Sequence, residues 1–190
     1  MQISEGLKPE HAAQAAALYW EAFGGKLGKL MGPGERARAF FADTVNTRAV
    51  ISATDGGTLL GIAAFKAGGQ GFSSSGLADL WRHYGMSALW RVVPLAMLER
   101  NAPDGVLQMD GICVAAAARG QGVGSALFDA LFAMAQREGF DAVTLDVIDT
   151  NPRAKALYER LGFETTGTES ASVLRGVLGF DYATRMVRKL

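Results

Sequence analysis

The residues with the clearest chemical potential are Arg119-Gly120-Gln121-Gly122-Val123-Gly124, which join an apolar run at 106–114 to a helical pattern at 122–138. Glycines at such a junction let successive backbone amides converge on one point, and the helix N-terminus adds partial positive charge, so the loop is suited to an anion such as a pyrophosphate. Two known phosphate loops fit poorly. A dinucleotide fingerprint starting at Gly120 has Ser125 at the small closing position, and one starting at Gly122 meets Leu127. A P-loop needs Lys and then Ser or Thr after its last glycine, whereas Gly124 is followed by Ser125 and Ala126. Asn151 and Pro152 form a second signal, a cap and first-turn proline opening a helix at 151–161 that carries Arg153, Ala154 and Tyr158. Cys113 is the only cysteine, and His11 and His83 stand apart with no clustered partners, so no metal site is expected.

These residues need a frame to hold them. A strand at 2–6 precedes an amphipathic helix at 9–23, with Ala13, Ala16, Tyr19, Trp20 and Phe23 at helical spacing. Gly24, Gly25, Gly28, Gly32, Pro33 and Gly34 predict a loop carrying Lys26 and Lys29, followed by a helix at 35–44. Strands at 48–54 and 58–67 flank Asp55-Gly56-Gly57, the chemistry of a hairpin turn. Residues 68–105 read as a helical insertion broken at Gly85, with Pro94 expected to kink or restart its second segment. Beyond it come the strand at 106–114, the helix at 122–138 stopped by Gly139, a strand at 142–148, the helix at 151–161, and strands at 163–168 and 180–189. The order implies an α/β fold with a mixed sheet and a parallel βαβ crossover at its centre.

Composition bounds the rest. A chain of 190 residues favours one domain over 1–190, and 49% apolar with 20% charged residues is ordinary for a globular protein. Nineteen basic and nineteen acidic residues leave zero formal charge, without the excess that a nucleic-acid partner demands. No apolar stretch is long enough to cross a bilayer, no secretory leader is visible at the start, and one cysteine fits a reducing compartment, so a cytoplasmic location is expected.

The pair of motifs resembles the GNAT acetyltransferase superfamily. Asp110-Gly111-Ile112-Cys113-Val114 with Arg119 to Gly124 is similar to that family's acyl-CoA motif, and the run from Asn151 to Phe163 looks like its second hallmark helix at the expected distance. The resemblance is specific over 106–168 and absent over 68–103. It implies a bent mixed sheet in which the strands ending at Val114 and Ile148 splay apart around acetyl-CoA, the acyl-donor cosubstrate. The backbone of Ile112, Cys113 and Val114 would pair with the pantetheine arm. Arg119, Gly120, Gln121, Gly122, Val123, Gly124 and Ser125 would hold the pyrophosphate, with Asn151, Arg153, Ala154 and Tyr158 on the opposite side. A small-molecule amine is the expected acceptor, attacking the thioester directly without an acyl-enzyme, and a homodimer is a family-level expectation.

Transfer to an amine poses two proton problems, because an ammonium has no lone pair and a departing thiolate gains a proton. The resemblance implies Asp110, two residues before Ile112 on the same strand face, as the base, and Tyr158 as the acid. Glu138 and Glu164 are alternative bases. Each residue also has a plain structural reading: Asp110 as a polar residue where strands part, Tyr158 as core beside Leu157 and Leu161, Cys113 as a small buried hydrophobe. The histidines read as surface residues, and Trp81, Tyr84 and Trp90 as core or as walls of an acceptor pocket. Lys26 and Lys29 read as a solvated loop or as a carboxylate recogniser. A catalytically silent acyl-CoA-binding module is the alternative function, and a longer acyl group would require room beyond the thioester.

Overall fold

A computed structural model describes residues 1–66, 69–98, 102–170 and 179–190. Seven strands form one mixed sheet: β1 (Gln2–Glu5), β2 (Val50–Asp55), β3 (Thr58–Phe65), β4 (Val106–Val114), β5 (Ala142–Ile148), β6 (Glu164–Ser170) and β7 (Tyr182–Lys189), in the order β1-β2-β3-β4-β5-β7-β6. Among the paired strands of the described residues only β4 and β5 run parallel, and the helix between them is the crossover foreseen from the element order. Gly56 and Gly57 take positive φ in the β2–β3 hairpin, as a two-residue turn of that hand requires.

Helices cover both faces. On one side lie α1 (Ala12–Met31), α2 (Gly34–Thr44) and the insertion, made of α3 (Leu77–Tyr84) and α4 (Ala88–Leu98). Their core joins Leu30, Met31, Phe40, Phe72 and Leu80 to Val50, Ile62 and Ala64 of the sheet. On the other side α5 (Val123–Arg137) buries Leu127, Phe128 and Leu131 against Ile51, Ala63, Leu107 and Val143, with α6 (Pro152–Arg160) adding Tyr158 at the edge.

The glycine-rich loop expected after Phe23 is instead the continuation of α1, which runs through Gly24, Gly25 and Gly28 to Met31. A helical glycine costs about 1 kcal/mol relative to alanine, and burial of Leu27, Leu30 and Met31 outweighs that. Gly24 and Gly34 also make room for the Trp20 indole, since an added Cβ would stand 3.1 Å and 2.8 Å from it. Lys26 and Lys29 are therefore helix positions. Likewise α4 passes through Pro94 without restarting; the ring forfeits one intrahelical hydrogen bond, which the packing of Val92 and Leu95 against the core offsets. His11, expected at the surface, is buried with Nδ1 3.2 Å from Gln14 Oε1.

The insertion docks on the C-terminal end of α1, where helix carbonyls lack partners. Tyr84 Oη donates to Met31 O at 2.6 Å, and Arg91 donates from Nε to Leu30 O at 2.6 Å and from a terminal nitrogen to Ser87 O at 2.6 Å. The buried Arg91 guanidinium also lies 4.4 Å from the Tyr84 ring centre, a cation–π contact added to the favourable charge at a helix C-terminus. Replacing Tyr84 by Phe removes a buried donor and strands the Met31 carbonyl, so urea unfolding is expected to show a loss of about 1–2 kcal/mol. An unchanged midpoint would mean that the insertion is held by apolar packing alone.

Candidate functional site

The site is organised by an irregularity in β4. Ala64 pairs with Gly111 while Phe65 pairs with Met109, so Asp110 is an extra residue bulged out of the ladder. Parallel pairing with β5 ends at the same place: it covers Val106–Gln108 against Ala142–Thr144, after which the two strands separate. The predicted splay is thus present, and it begins at Met109, directly after the last paired residue Gln108.

The bulge also corrects the side-chain pattern expected along this strand. Strict alternation would put Asp110 and Ile112 on one face. The extra residue shifts the alternation, so Leu107 and Met109, then Ile112 and Val114, pack toward α5, while Asp110 points toward α1 and α3. Gly111 faces α1 too, where an added Cβ would collide with the Phe23 ring, 2.9 Å from its Cε2. The backbone follows the same logic. Ala115 N donates to Leu60 O at 2.8 Å, which assigns the amide and carbonyl of Cys113 to β3 and turns those of Ile112 and Val114 toward the opened side.

Asp110 and Tyr158, separated by 48 positions, line one cavity of about 860 Å³ together with Asn151 and Ala154. Asp110 Oδ2 accepts from the amide of Phe72 at 2.7 Å, and the approach of that loop depends on Gly71, whose added Cβ would lie 2.6 Å from the same oxygen. Burial pushes the Tyr158 phenol up to about 12. Its ring packs between Phe128 and Phe163, at 6.0 Å and 5.9 Å, as the core reading of this residue has it, while the residue also lines the cavity. Asn151 caps α6 by accepting from Ala154 N at 3.2 Å, as its position before Pro152 predicts. Arg153 is exposed on the outer side of that helix start and does not line the cavity.

The glycine loop lies apart from this cavity, at the far end of β4. Gly120 and Gly122 have φ of 76° and 79°, and nothing lies within 4 Å of a Cβ added to either, which leaves open space over the first turn of α5. The amides of Val123, Gly124 and Ser125 have no acceptor within that helix. Gln121 braces the loop by donating to Ala117 O at 2.7 Å. Arg119 does not reach into the open space: it donates from Nε to Val114 O at 3.1 Å and from a terminal nitrogen to Glu21 at 2.9 Å. It therefore occupies the Val114 carbonyl and leaves that residue's N–H facing the splay.

Other candidates are dispersed. Glu138 and Glu164 are exposed away from the cavity. Trp81 and Trp90 are about half exposed on the outside of the insertion and Tyr84 is spent on α1, so none of the three walls the pocket. Its walls are Tyr19, Phe23, Phe72 and the insertion residues Leu77, Val92 and Leu95. Apolar spacing alone marks these equally as core. Gly176 lies outside the described residues. Among the described residues no group of three or more His, Cys, Asp or Glu side chains converges, and no helix is long and apolar enough to cross a membrane.

A sheet split beside a βαβ crossover, with a glycine loop at one end of the split and a capped helix across it, defines a class. The acetyltransferase (GNAT) family model matches residues 13–163, and the chain belongs to this family of acyltransferases, whose members draw the acyl group from acetyl-CoA. It is 30% identical over 110 residues to the mycothiol acetyltransferase of Corynebacterium jeikeium, a match covering 58% of this chain and 30% of that protein. The match thus spans under a third of that relative's length. A GCN5-related N-acetyltransferase from Kribbella flavida shares the fold with a TM-score of 0.62 at 23% identity, over 100% of this chain and 97% of that one. An N-acetyltransferase from Staphylococcus aureus Mu50 does so with a TM-score of 0.65 at 16% identity, over 98% and 100%.

Cys113 sits in the splayed strand yet is buried, and burial, aided by the nearby Glu21 charge, pushes its thiol up to about 12. It is therefore a packing residue and no nucleophile at neutral pH. Iodoacetamide at pH 8 is expected to leave it unmodified in the folded protein and to alkylate it promptly in urea, read by intact mass. Rapid labelling of the native state would contradict this burial.

Proposed function

We propose that this protein transfers an acetyl group from acetyl-CoA to the primary amine of a small molecule, by direct attack within a ternary complex. The observation that carries the reading is the convergence of Asp110 and Tyr158 on one cavity beside the split between β4 and β5. The glycine loop supports it, since the open space over Gly120 and Gly122 would take a pyrophosphate on the amides of Gln121, Gly122, Val123 and Gly124. The freed amides of Ile112 and Val114 suit the pantetheine arm, with Ala154 and Asn151 flanking it.

Bound acetyl-CoA supplies an acyl carbon activated as a thioester. Asp110 accepts the proton of the incoming ammonium, directly or through one water, and the amine nitrogen then forms the new C–N bond as the C–S bond breaks. Held by the Phe72 amide, the carboxylate keeps one oxygen fixed and offers the other. Tyr158 gives its proton to the departing sulfur, which it can do because burial keeps it protonated far above neutral pH, and the second proton shed by the acylated nitrogen as it becomes an amide restores the phenol. The Val114 N–H donates to the acyl oxygen as negative charge gathers there.

Thiol release with acetyl-CoA and an amine panel tests this. Tyr158→Phe is expected to lower kcat by about a hundredfold with unchanged acetyl-CoA affinity. Wild-type release that the substitution leaves untouched would remove Tyr158 from the chemistry, and binding with no release from any amine would favour a silent acyl-CoA-binding module. Separately, Gly122→Glu places a side chain and negative charge at a position with φ of 79° in the cradle. It is expected to abolish acetyl-CoA binding in calorimetry while far-UV dichroism stays native; retained affinity would refute the cradle.

A further inference from the structure

The cavity that holds Asp110 and Tyr158 extends from the side of Asn151 and Ala154, where the pantetheine arm would end, to a second end under α1 and the insertion, and its two ends differ in chemistry. At about 860 Å³ it lies in the range that encloses a drug-sized ligand. Its charged lining residues are Lys66, Asp110 and Asp146, all contributed by the sheet or the residue that follows β3. Asp146 is engaged by Arg185 through contacts of 3.1 Å and 3.3 Å. The opposite wall, from α1 and the insertion, presents Tyr19, Phe23, Val92, Leu95 and the exposed Leu77 over a buried floor of Phe72, and among the described residues no charged side chain of the insertion lines it.

We infer that the acceptor is a primary amine carried on an apolar, aromatic or branched body: the ammonium sits at Asp110 and the body lies against Phe23 and the inner face of the insertion. This rests on the acetyltransfer reading above. A polyamine or an aminoglycoside would press its further cations against Val92 and Leu95, where none of the described lining residues is a carboxylate, and an unpaired buried charge is heavily penalised. A small hydrophilic amine would leave the apolar wall wet and gain nothing from it. A longer acyl chain could fill the same volume, but the carboxylate at its mouth favours a cation there. The insertion, the part of the chain that matches no motif, is on this account the specificity element.

Calorimetry in the presence of free CoA, using 2-phenylethylamine, ethanolamine and spermidine, separates these cases, with acetyl transfer measured alongside. Phenylethylamine is expected to bind at least tenfold more tightly than the other two and to be acetylated with the highest kcat/KM. Leu95→Asp should remove about tenfold of that preference, and Leu77→Asp, at a side chain already 68% exposed and so safe for folding, should reduce it in the same direction. Equal or tighter binding of spermidine or ethanolamine, or a preference unmoved by both substitutions, would overturn the inference. So would faster transfer from octanoyl-CoA than from acetyl-CoA to ethanolamine, which would assign the volume to the acyl chain. Selective phenylethylamine binding without any transfer would instead sink the acetyltransfer reading while leaving the apolar amine site intact.

Discussion

One extra residue in β4 governs the architecture of the site. Because Asp110 has no counterpart on β3, the strand bends and its alternation shifts by one position, and its pairing with β5 stops at Gln108 and Thr144. Asp110 faces α1, opposite to Met109, and the shift then brings Ile112 and Val114 to the α5 side and turns their amides into the gap. A regular strand would have put Ile112 and Val114 on the face of Asp110 and turned their amides toward β3. The cost is a locally broken ladder, and neighbouring contacts hold it in place: the Phe72 amide grips Asp110, and Gly111 admits the Phe23 ring.

Around that point the molecule divides labour between its two faces. The α5 side is densely apolar, with Phe128 and Phe163 against Tyr158, and that burial keeps the phenol protonated. The α1 side holds the cavity, between α1, the insertion and the sheet. Arg91 and Tyr84 tie the insertion to the last carbonyls of α1. A buried cation satisfied by carbonyls, an aromatic face and a helix dipole is a specific joint, and it sets how far the insertion stands from Asp110.

The helices α5 and α6, the strand β4 up to Met109, the hairpin at Gly56-Gly57 and the order of the central elements were all legible beforehand, because each rests on interactions within a few residues: apolar periodicity, caps, and turns requiring positive φ. The glycine loop and the Asn151 cap were legible for the same reason. What failed were judgements that weigh local cost against distant burial. Glycines at 24, 25 and 28 are poor helix formers, yet the apolar face of Leu27, Leu30 and Met31 carries α1 through them. Trp81 and Trp90 read as core or as pocket walls, but both are about half exposed, and the insertion lines the cavity with Leu77, Val92 and Leu95 instead.

The sequence by itself determined the family, the glycine turn before α5, the capped helix carrying Tyr158, and the mixed α/β layout, since short-range rules and two linked motifs suffice for these. Tertiary structure alone decided that Asp110 and Ile112 part company, that Arg119 is spent on Val114 and Glu21, and that Asp110 and Tyr158 share one hollow. The physical reason is that a bulge exists only relative to the partner strand. A cavity, likewise, is the space left where elements distant in sequence fail to touch, and neither leaves a period or a motif in the chain.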